Sequence, residues 1–285
     1  MTSPHHPTPP LPPLSEARPD IRLVVTDMDG TLLDSEGRIP EEFWPLLSRM
    51  ERRGIVFCPA SGRQYATLRE QFRRAAAGTV FIAENGTYVV RDGHELSSDV
   101  LDRDVVAEVV GTMRELPAQG VDVGTVVCGK KSAYVERTDA AFLAEVRKYY
   151  ARLEQVEDVT AVDDDLIKLA FYDFGRAEEG TAPALKRYGL THQVVLSGEH
   201  WTDVMNPTAN KGAAVRGLQR RLGITPEQTV VFGDYLNDLE MLDTATWSFA
   251  MANAHPEIKL RARHQAPAHT ENGVVTTLAA LLGPA

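Results

Sequence analysis

Residues 23–37 read LVVTDMDGTLLDSEG. A largely apolar run, Ile21 to Thr26, leads into two carboxylates one residue apart, Asp27 and Asp29, and then into Gly30-Thr31. A short continuous apolar run suits a strand buried on both faces of a parallel sheet. Two like charges at its end raise each other's cost of ionisation, so the arrangement implies something that offsets the repulsion. A bound cation does so, and Gly30 permits the sharp backbone turn that would aim N–H groups at an anion.

Working outward, the chain keeps an alternating rhythm. A helix is expected over Glu41 to Arg53, stopped by Gly54, then a strand over Ile55 to Cys58 ending at Pro59-Ala60-Ser61-Gly62. A helix over Tyr65 to Ala77 and a strand over Val80 to Ile82 follow, the latter running into Glu84-Asn85-Gly86. The rhythm returns after Lys211: a helix to Leu222, a strand over Thr229 to Phe232, a turn at Gly233-Asp234-Tyr235, and helices over Leu236 to Leu242, Pro256 to Ala262 and Val274 to Leu282. Such alternation implies right-handed βαβ units. Between them the texture changes to longer helices (Asp102 to Glu115, Ala140 to Tyr150) and strands at Val121 to Val127, Leu166 to Tyr172 and Gln193 to Leu196, which reads as an inserted α/β module. The expected fold class is therefore α/β: a parallel-sheet core from residues 20–96 and 207–285, with an insert from 97–206. Residues 1–19, rich in proline and without apolar periodicity, read as a disordered leader.

The whole chain narrows the function. Its 285 residues are 43% hydrophobic with a formal net charge of −10 and a pI near 5.3. That charge disfavours a nucleic-acid or anionic-membrane surface and favours a small-molecule partner. There is no run long enough to span a membrane and no secretory start, so a cytoplasmic location is expected. Cys58 and Cys128 lack CxxC spacing and read as reduced, buried thiols.

Ligands of an open parallel sheet sit beyond the carboxyl ends of its strands. Four polar clusters fall there or at a helix start: Asp27-x-Asp29-Gly30-Thr31, Ser61-Gly62-Arg63, Asn210-Lys211-Gly212, and Gly233-Asp234-x-x-Asn237-Asp238. Their composition is that of Mg²⁺-assisted phosphoryl transfer. Mg²⁺ combines a few carboxylates with waters and substrate phosphate, here from Asp27 and Asp234. Ser61 offers a hydroxyl and Gly62 an N–H to phosphate oxygens. Lys211 brings a positive charge for the transferring group.

DMDGT, SGR, NKG and GDYLND in this order, with IAENG and AMANA between them, resemble the haloacid-dehalogenase-like hydrolases, and within them the Cof-type phosphatases. The resemblance covers nearly everything from Ile21 to Leu282. It implies a Rossmann-like core and a large α/β cap that closes over the site and selects the substrate. It also implies Asp27 as nucleophile, Asp29 as acid/base, and Mg²⁺ held by Asp27, the Asp29 backbone carbonyl, Asp234 and Asp238, the last also able to orient Lys211. The phosphate or substrate contacts implied are Met28, Gly30, Ser61, Gly62, Arg63, Lys211 and Asn237. FCPASGRQYATLREQF and VFIAENGTYVV look like the subgroup acting on sugar phosphates and flavin mononucleotide. Related chains often carry Asn where this one has Arg63, and a basic side chain there favours a second anionic group on the substrate.

Other features have plainer readings. Arg69, Arg73 and Arg74 form a solvated face, Asp163 to Asp165 a solvated turn, and His200 and Trp201 packing contacts. Lys168, alone in an apolar strand, is a candidate for substrate contact. Gly124 to Lys131 nearly spells a phosphate-binding Walker loop, but it lacks the final Ser/Thr and reads as a strand. Two alternatives to hydrolysis stay open: a phosphosugar mutase and a non-catalytic sensor of phosphometabolites.

Overall fold

A computed structural model describes residues 18–75 and 77–283. The proline-rich leader expected over residues 1–19 lies almost wholly outside the described residues. The described residues divide into two compact units, the first lying within residues 18–60, 74–80 and 215–283, and the second within residues 61–73 and 81–214. No helix among the described residues is long and apolar enough to cross a membrane.

The first unit is built on a five-stranded sheet whose order is His264–Ala266, Trp247–Met251, Thr229–Gly233, Leu23–Thr26, Val56–Pro59. Every pairing in it is parallel. Leu23–Thr26 lies between two neighbours and is buried along its whole length, which explains why its sequence is a continuous apolar run instead of an alternation. Pro59, which cannot donate to a ladder, ends the strand at the sheet's edge. Helix Phe43–Arg52 buries Phe43, Leu46, Leu47 and Met50, the i, i+3, i+4, i+7 stripe of an amphipathic helix. Its Arg49 and the following Arg53 donate to the carbonyls of Gly283 (2.7 Å) and Leu282 (2.6 Å), satisfying the end of helix Gly273–Leu282.

The second unit carries a six-stranded sheet, ordered Gln193–Leu196, Trp201–Met205, Leu166–Asp173, Val123–Gly129, Ala133–Val135, Leu153–Gln155. Its pairings are antiparallel except the last. Successive residues of its central strands go to opposite faces, as the strand period demands. Val127, Leu169, Phe171 and Val204 pack with Val106, Val109, Val110 and Met113 of helix Arg103–Glu115. Val126, Cys128, Ala170 and Tyr172 pack with Phe142, Leu143 and Val146 of helix Ala140–Val146, joined by Ile167 where a register shift beside Cys128 and Gly129 interrupts the alternation. A smaller sheet is ordered Val80–Ala83, Tyr88–Arg91, His94–Ser98.

Several expectations are corrected. The helix from Tyr65 ends at Gln71, and the helix from Ala140 ends at Val146. Leu236 to Leu242 begins as a 3₁₀ turn, Leu236–Asp238, before one α turn. The hairpin 88–98 and strand Trp201–Met205 were not anticipated: His94–Ser98 is polar and largely exposed, and Trp201–Met205 hides a buried aspartate, Asp203. Asp163 to Asp165 is no solvated turn at its centre. Asp164 is buried and accepts from Lys131 N (2.8 Å), Ser132 N (3.3 Å), the Tyr134 hydroxyl (3.0 Å) and Asp165 N (2.8 Å). The Walker-like stretch is strand Val123–Gly129, paired with Leu166–Asp173. Its amides belong to a ladder and cannot cradle phosphate. Both cysteines are buried, and neither is in a disulfide.

Candidate active site

In the first unit, Leu23–Thr26 and Thr229–Gly233 are adjacent and in register, Thr26 opposite Phe232. Asp27 therefore follows the end of one strand, and Asp234 follows the end of its neighbour. Residues separated by some two hundred positions become side-by-side carboxylates. The backbone then turns: Leu33 N bonds to Met28 O (2.9 Å), while Asp29 and Gly30 leave the helical region, Gly30 at φ +75°. Met28 turns its side chain wholly into the core, so it can meet a ligand only through its backbone. Asp29 is exposed at this turn and Asp27 is buried.

Asp27, Asp234 and Asp238 each offer a carboxylate oxygen within 4.8 Å of the others. At that range two like charges repel by about 1 kcal/mol in water-like surroundings and about 3–4 kcal/mol at a protein-surface dielectric. The chain holds them there deliberately. Thr31 Oγ1 donates to Asp234 Oδ1 (3.1 Å), and His255 N bonds to the Asp234 carbonyl (2.8 Å). Asp238 Oδ2 accepts from Asp234 N (3.0 Å) and Tyr235 N (3.4 Å). The flanking glycines are there for space. A Cβ on Gly30 would lie 2.3 Å from Asp234 Oδ2, and one on Gly233 would lie 2.6 Å from Asp238 Oδ2. Three clustered hard-oxygen donors, one half-buried and two buried, are a donor set suited to Mg²⁺. Asn237 stands half-buried in the same Leu236–Asp238 turn. Asn253, which the sequence reading passed over within AMANA, donates to the Gly30 carbonyl (2.8 Å) and steadies the turn.

In the second unit, Ser61, Gly62 and Arg63 form a tight bend. Ser61 N bonds to Ile82 O (2.9 Å), Asn85 N to Ser61 O (2.9 Å), Glu84 N to Arg63 O (3.1 Å), and Arg63 N to Ser61 Oγ (3.1 Å). The Arg63 guanidinium donates to Lys148 O (2.8 Å) and lies 5.1 Å from the Tyr149 ring centroid. The IAENG segment earlier noted supplies the other wall. Glu84, Asn85 and Gly86 all have positive φ, at 50°, 58° and 103°. A Cβ on Gly86 would come within 2.5 Å of Asn210 O and 3.0 Å of Lys211 N, so only glycine allows this approach to the start of helix Lys211–Leu222. Asn210 caps that helix, accepting from Ala213 N (2.7 Å). Lys211 is fully buried.

Lys168 lies behind the bend, 1% exposed. Its ammonium is 2.6 Å from Glu84 Oε2, 2.7 Å from Gly62 O and 3.8 Å from Asp203 Oδ2. Asn85 Nδ2 donates to the same Asp203 oxygen (2.6 Å). Burial pushes the Glu84 and Asp203 carboxyls up, and Lys168 opposes that in both. Burial alone would lower Lys168, but Asp203 and Glu84 override it and hold the ammonium charged well above its ordinary value. Lys168 is thus committed inside the protein, and the expectation of a substrate contact fails. His200 Nδ1 donates to Gly175 O (2.6 Å) and Trp201 packs on Tyr172 (5.0 Å), the packing roles expected. Glu84, Lys168 and Asp203 carried no local signal as a group, because three separate segments supply them.

Comparison with known proteins places the chain in a family. Residues 24–278 match the model of a family described as haloacid dehalogenase-like hydrolase. A curated relative, the 5-amino-6-(5-phospho-D-ribitylamino)uracil phosphatase of Escherichia coli (strain K12), is 34% identical over 90% of this chain and 95% of its own. The HMP-PP phosphatase of Cronobacter sakazakii is 27% identical over 85% of this chain and 88% of its own. Among solved structures, SMU.1108c from Streptococcus mutans UA159 matches with a TM-score of 0.83 at 28% identity, covering 92% of this chain and 99% of that one.

Proposed function

The chain belongs to the haloacid dehalogenase-like hydrolases, an enzyme family in which its curated relatives are phosphatases, and from that premise we propose a Mg²⁺-dependent phosphatase that hydrolyses a small phosphorylated metabolite through a covalent aspartyl-phosphate. The observation that carries the reading is the cluster of Asp27, Asp234 and Asp238, whose oxygens lie within 4.8 Å of one another beside a glycine turn. Without a cation such a cluster is a liability, and with one it is a phosphate site. Asp27, Asp234 and Asp238, with the Asp29 backbone carbonyl, would hold the ion. Bound there, Mg²⁺ supplies positive charge against the carboxylates and the phosphoryl oxygens.

The residues then divide the chemistry. The Asp27 carboxylate attacks phosphorus, forming an O–P bond as the ester P–O bond breaks. Asp29 gives its proton to the departing alkoxide, and its exposed position suits exchange with solvent. In the second half Asp29 takes a proton from water, whose oxygen attacks the phosphorus. The acyl-phosphate bond breaks, releasing inorganic phosphate and restoring Asp27. Ser61, the Gly62 N–H and Lys211 bind the phosphoryl oxygens and meet their developing charge. Backbone groups of Met28 and Gly30, with Asn237 and Arg63, would complete the substrate contacts. The residues inserted over 97–206 act as the cap that chooses the leaving group and excludes water.

The substrate class is a phosphorylated sugar-like or ribityl chain of the sugar-phosphate or flavin-related kind. Support comes from the relative at 34% identity, whose name specifies a phosphoribitylamino uracil. The test is phosphate release from sugar phosphates, ribityl phosphates, flavin mononucleotide and an aryl phosphate, with Mg²⁺ and with EDTA, for wild type and Asp27→Asn. Metal-dependent release that vanishes in Asp27→Asn is expected, and full activity in that variant would sink the mechanism. An isomerised sugar phosphate in place of free phosphate would assign a mutase, and binding without turnover a sensor.

A further inference from the structure

Lys168 is a costly residue for its place. The strand Leu166–Asp173 is otherwise apolar for six of its eight positions, and a buried ammonium with two buried carboxylates gains little stability over a hydrophobic substitute. The price is compounded by Glu84 and Asn85, two non-glycine residues at positive φ, a conformation that costs roughly 1–3 kcal/mol each. What these groups share is the bend at Ser61.

The three carbonyls of Ser61, Gly62 and Arg63 are each held by a donor. Two of these are main-chain amides, Asn85 N and Glu84 N. The donor to Gly62 O is the Lys168 ammonium, at 2.7 Å. Peptide planarity makes that contact matter, because the Gly62 carbonyl and the Arg63 N–H lie in one rigid plane. Fixing the carbonyl fixes the N–H, which donates to Ser61 Oγ at 3.1 Å. A hydroxyl whose oxygen accepts from that side keeps its proton to donate elsewhere. Glu84 and Asp203 in turn keep a long, rotatable side chain in one place, and Asn85 fixes Asp203.

We infer that Lys168 is a positioning residue for the anion-binding bend, orienting the Ser61 hydroxyl through the Gly62–Arg63 peptide plane, with Glu84 and Asp203 as its tethers. This rests on the reading of Ser61 as a phosphate ligand. It places a determinant of phosphate affinity on a strand of the second unit's six-stranded sheet, one that never touches the phosphate.

The experiment measures inorganic phosphate binding by calorimetry, and phosphate inhibition of aryl phosphate hydrolysis, for wild type, Lys168→Met, Ser61→Ala and the double variant. Lys168→Met keeps the stem and removes the donor. Phosphate affinity is expected to fall about tenfold, the scale of one charge-assisted hydrogen bond, with KM raised more than kcat lowered. In the Ser61→Ala background the same change should cost less than twofold, because the path to the hydroxyl is already cut. A residue that merely stabilises the fold would lower the melting temperature and leave phosphate affinity alone, or cost the same in both backgrounds, and either result overturns the inference. Glu84→Gln, which preserves volume and loosens the tether, should shift affinity the same way by a smaller factor. It decides the matter should Lys168→Met not fold, and an unchanged affinity there overturns the inference. Phosphate binding by a wild type that hydrolyses nothing would remove the hydrolase reading and leave this one testable by calorimetry. A wild type that binds no phosphate would remove both.

Discussion

Gly30 and Gly37 make a matched pair for testing the acidic cluster. Both sit at nearly the same left-handed angle, φ +75° and +72°, but a Cβ on Gly37 would meet nothing within 4 Å, whereas one on Gly30 would lie 2.3 Å from Asp234 Oδ2. Alanine at either position carries the left-handed penalty, offset in part by a stiffer unfolded chain, for a net cost of about 1 kcal/mol. In a chain of this size that lowers Tm by about 2–4 °C. Gly37→Ala should do this and no more. Gly30→Ala must also drive the Asp234 carboxylate about 1 Å from its place, since ordinary contact begins near 3.4 Å. That movement strips the Thr31 hydrogen bond, worth about 1.5–3 kcal/mol to a charged acceptor, so the total approaches about 3 kcal/mol. Mg²⁺ tolerates little departure from its preferred geometry, and the concentration giving half-maximal phosphate release should rise about tenfold or more. Thermal melts and Mg²⁺ titrations of the two variants read both effects. Equal Mg²⁺ requirements in Gly30→Ala and Gly37→Ala would refute the claim that Asp234 holds the ion.

Asp164→Ala removes a buried carboxylate that accepts four hydrogen bonds and should cost about 3 kcal/mol or more in urea unfolding; a loss below about 1 kcal/mol would contradict its role as a hub. Asp158 is held down to about 2 from 3.8, first by the Thr160 hydroxyl and amide and then by Arg114. Its folded value is depressed, so its contribution is present above about pH 4 and lost as the pH falls toward 2. Asp158→Asn should therefore flatten the acid limb of the stability profile over that window, and an unchanged limb would count against the assignment.

How much of this was legible in the sequence follows from distance along the chain. DMDGT, SGR, NKG and GDYLND could be read because each packs its chemistry into a few consecutive residues. The sheet that aligns Asp27 with Asp234 was readable because a run such as LVVT has few other places to go. Glu84, Lys168 and Asp203 were opaque as a set, since each looked like an isolated charge and only the sheet order joins them. Asp164 misled for the opposite reason. Its neighbours Asp163 and Asp165 are exposed and acidic, and the space that admits it comes from Gly129, where a Cβ would lie 2.1 Å from its Oδ2. Charge patterning is blind to a vacancy left by a distant glycine.

The pairing of Leu23–Thr26 with Thr229–Gly233 also sets a clock on the protein's birth. The strand preceding Asp27 emerges from the ribosome first, while the strand preceding Asp234 follows after about two hundred more residues, roughly 10–40 s at usual elongation rates. Until then the acidic cluster does not exist, and a pairing of such long range is slow to close. A nascent or truncated chain ending before Asp238 therefore lacks the complete acidic cluster, and on the proposed reading Mg²⁺ capture would report that these two strands have paired. An ion held there would pull the folding equilibrium toward the paired strands by mass action.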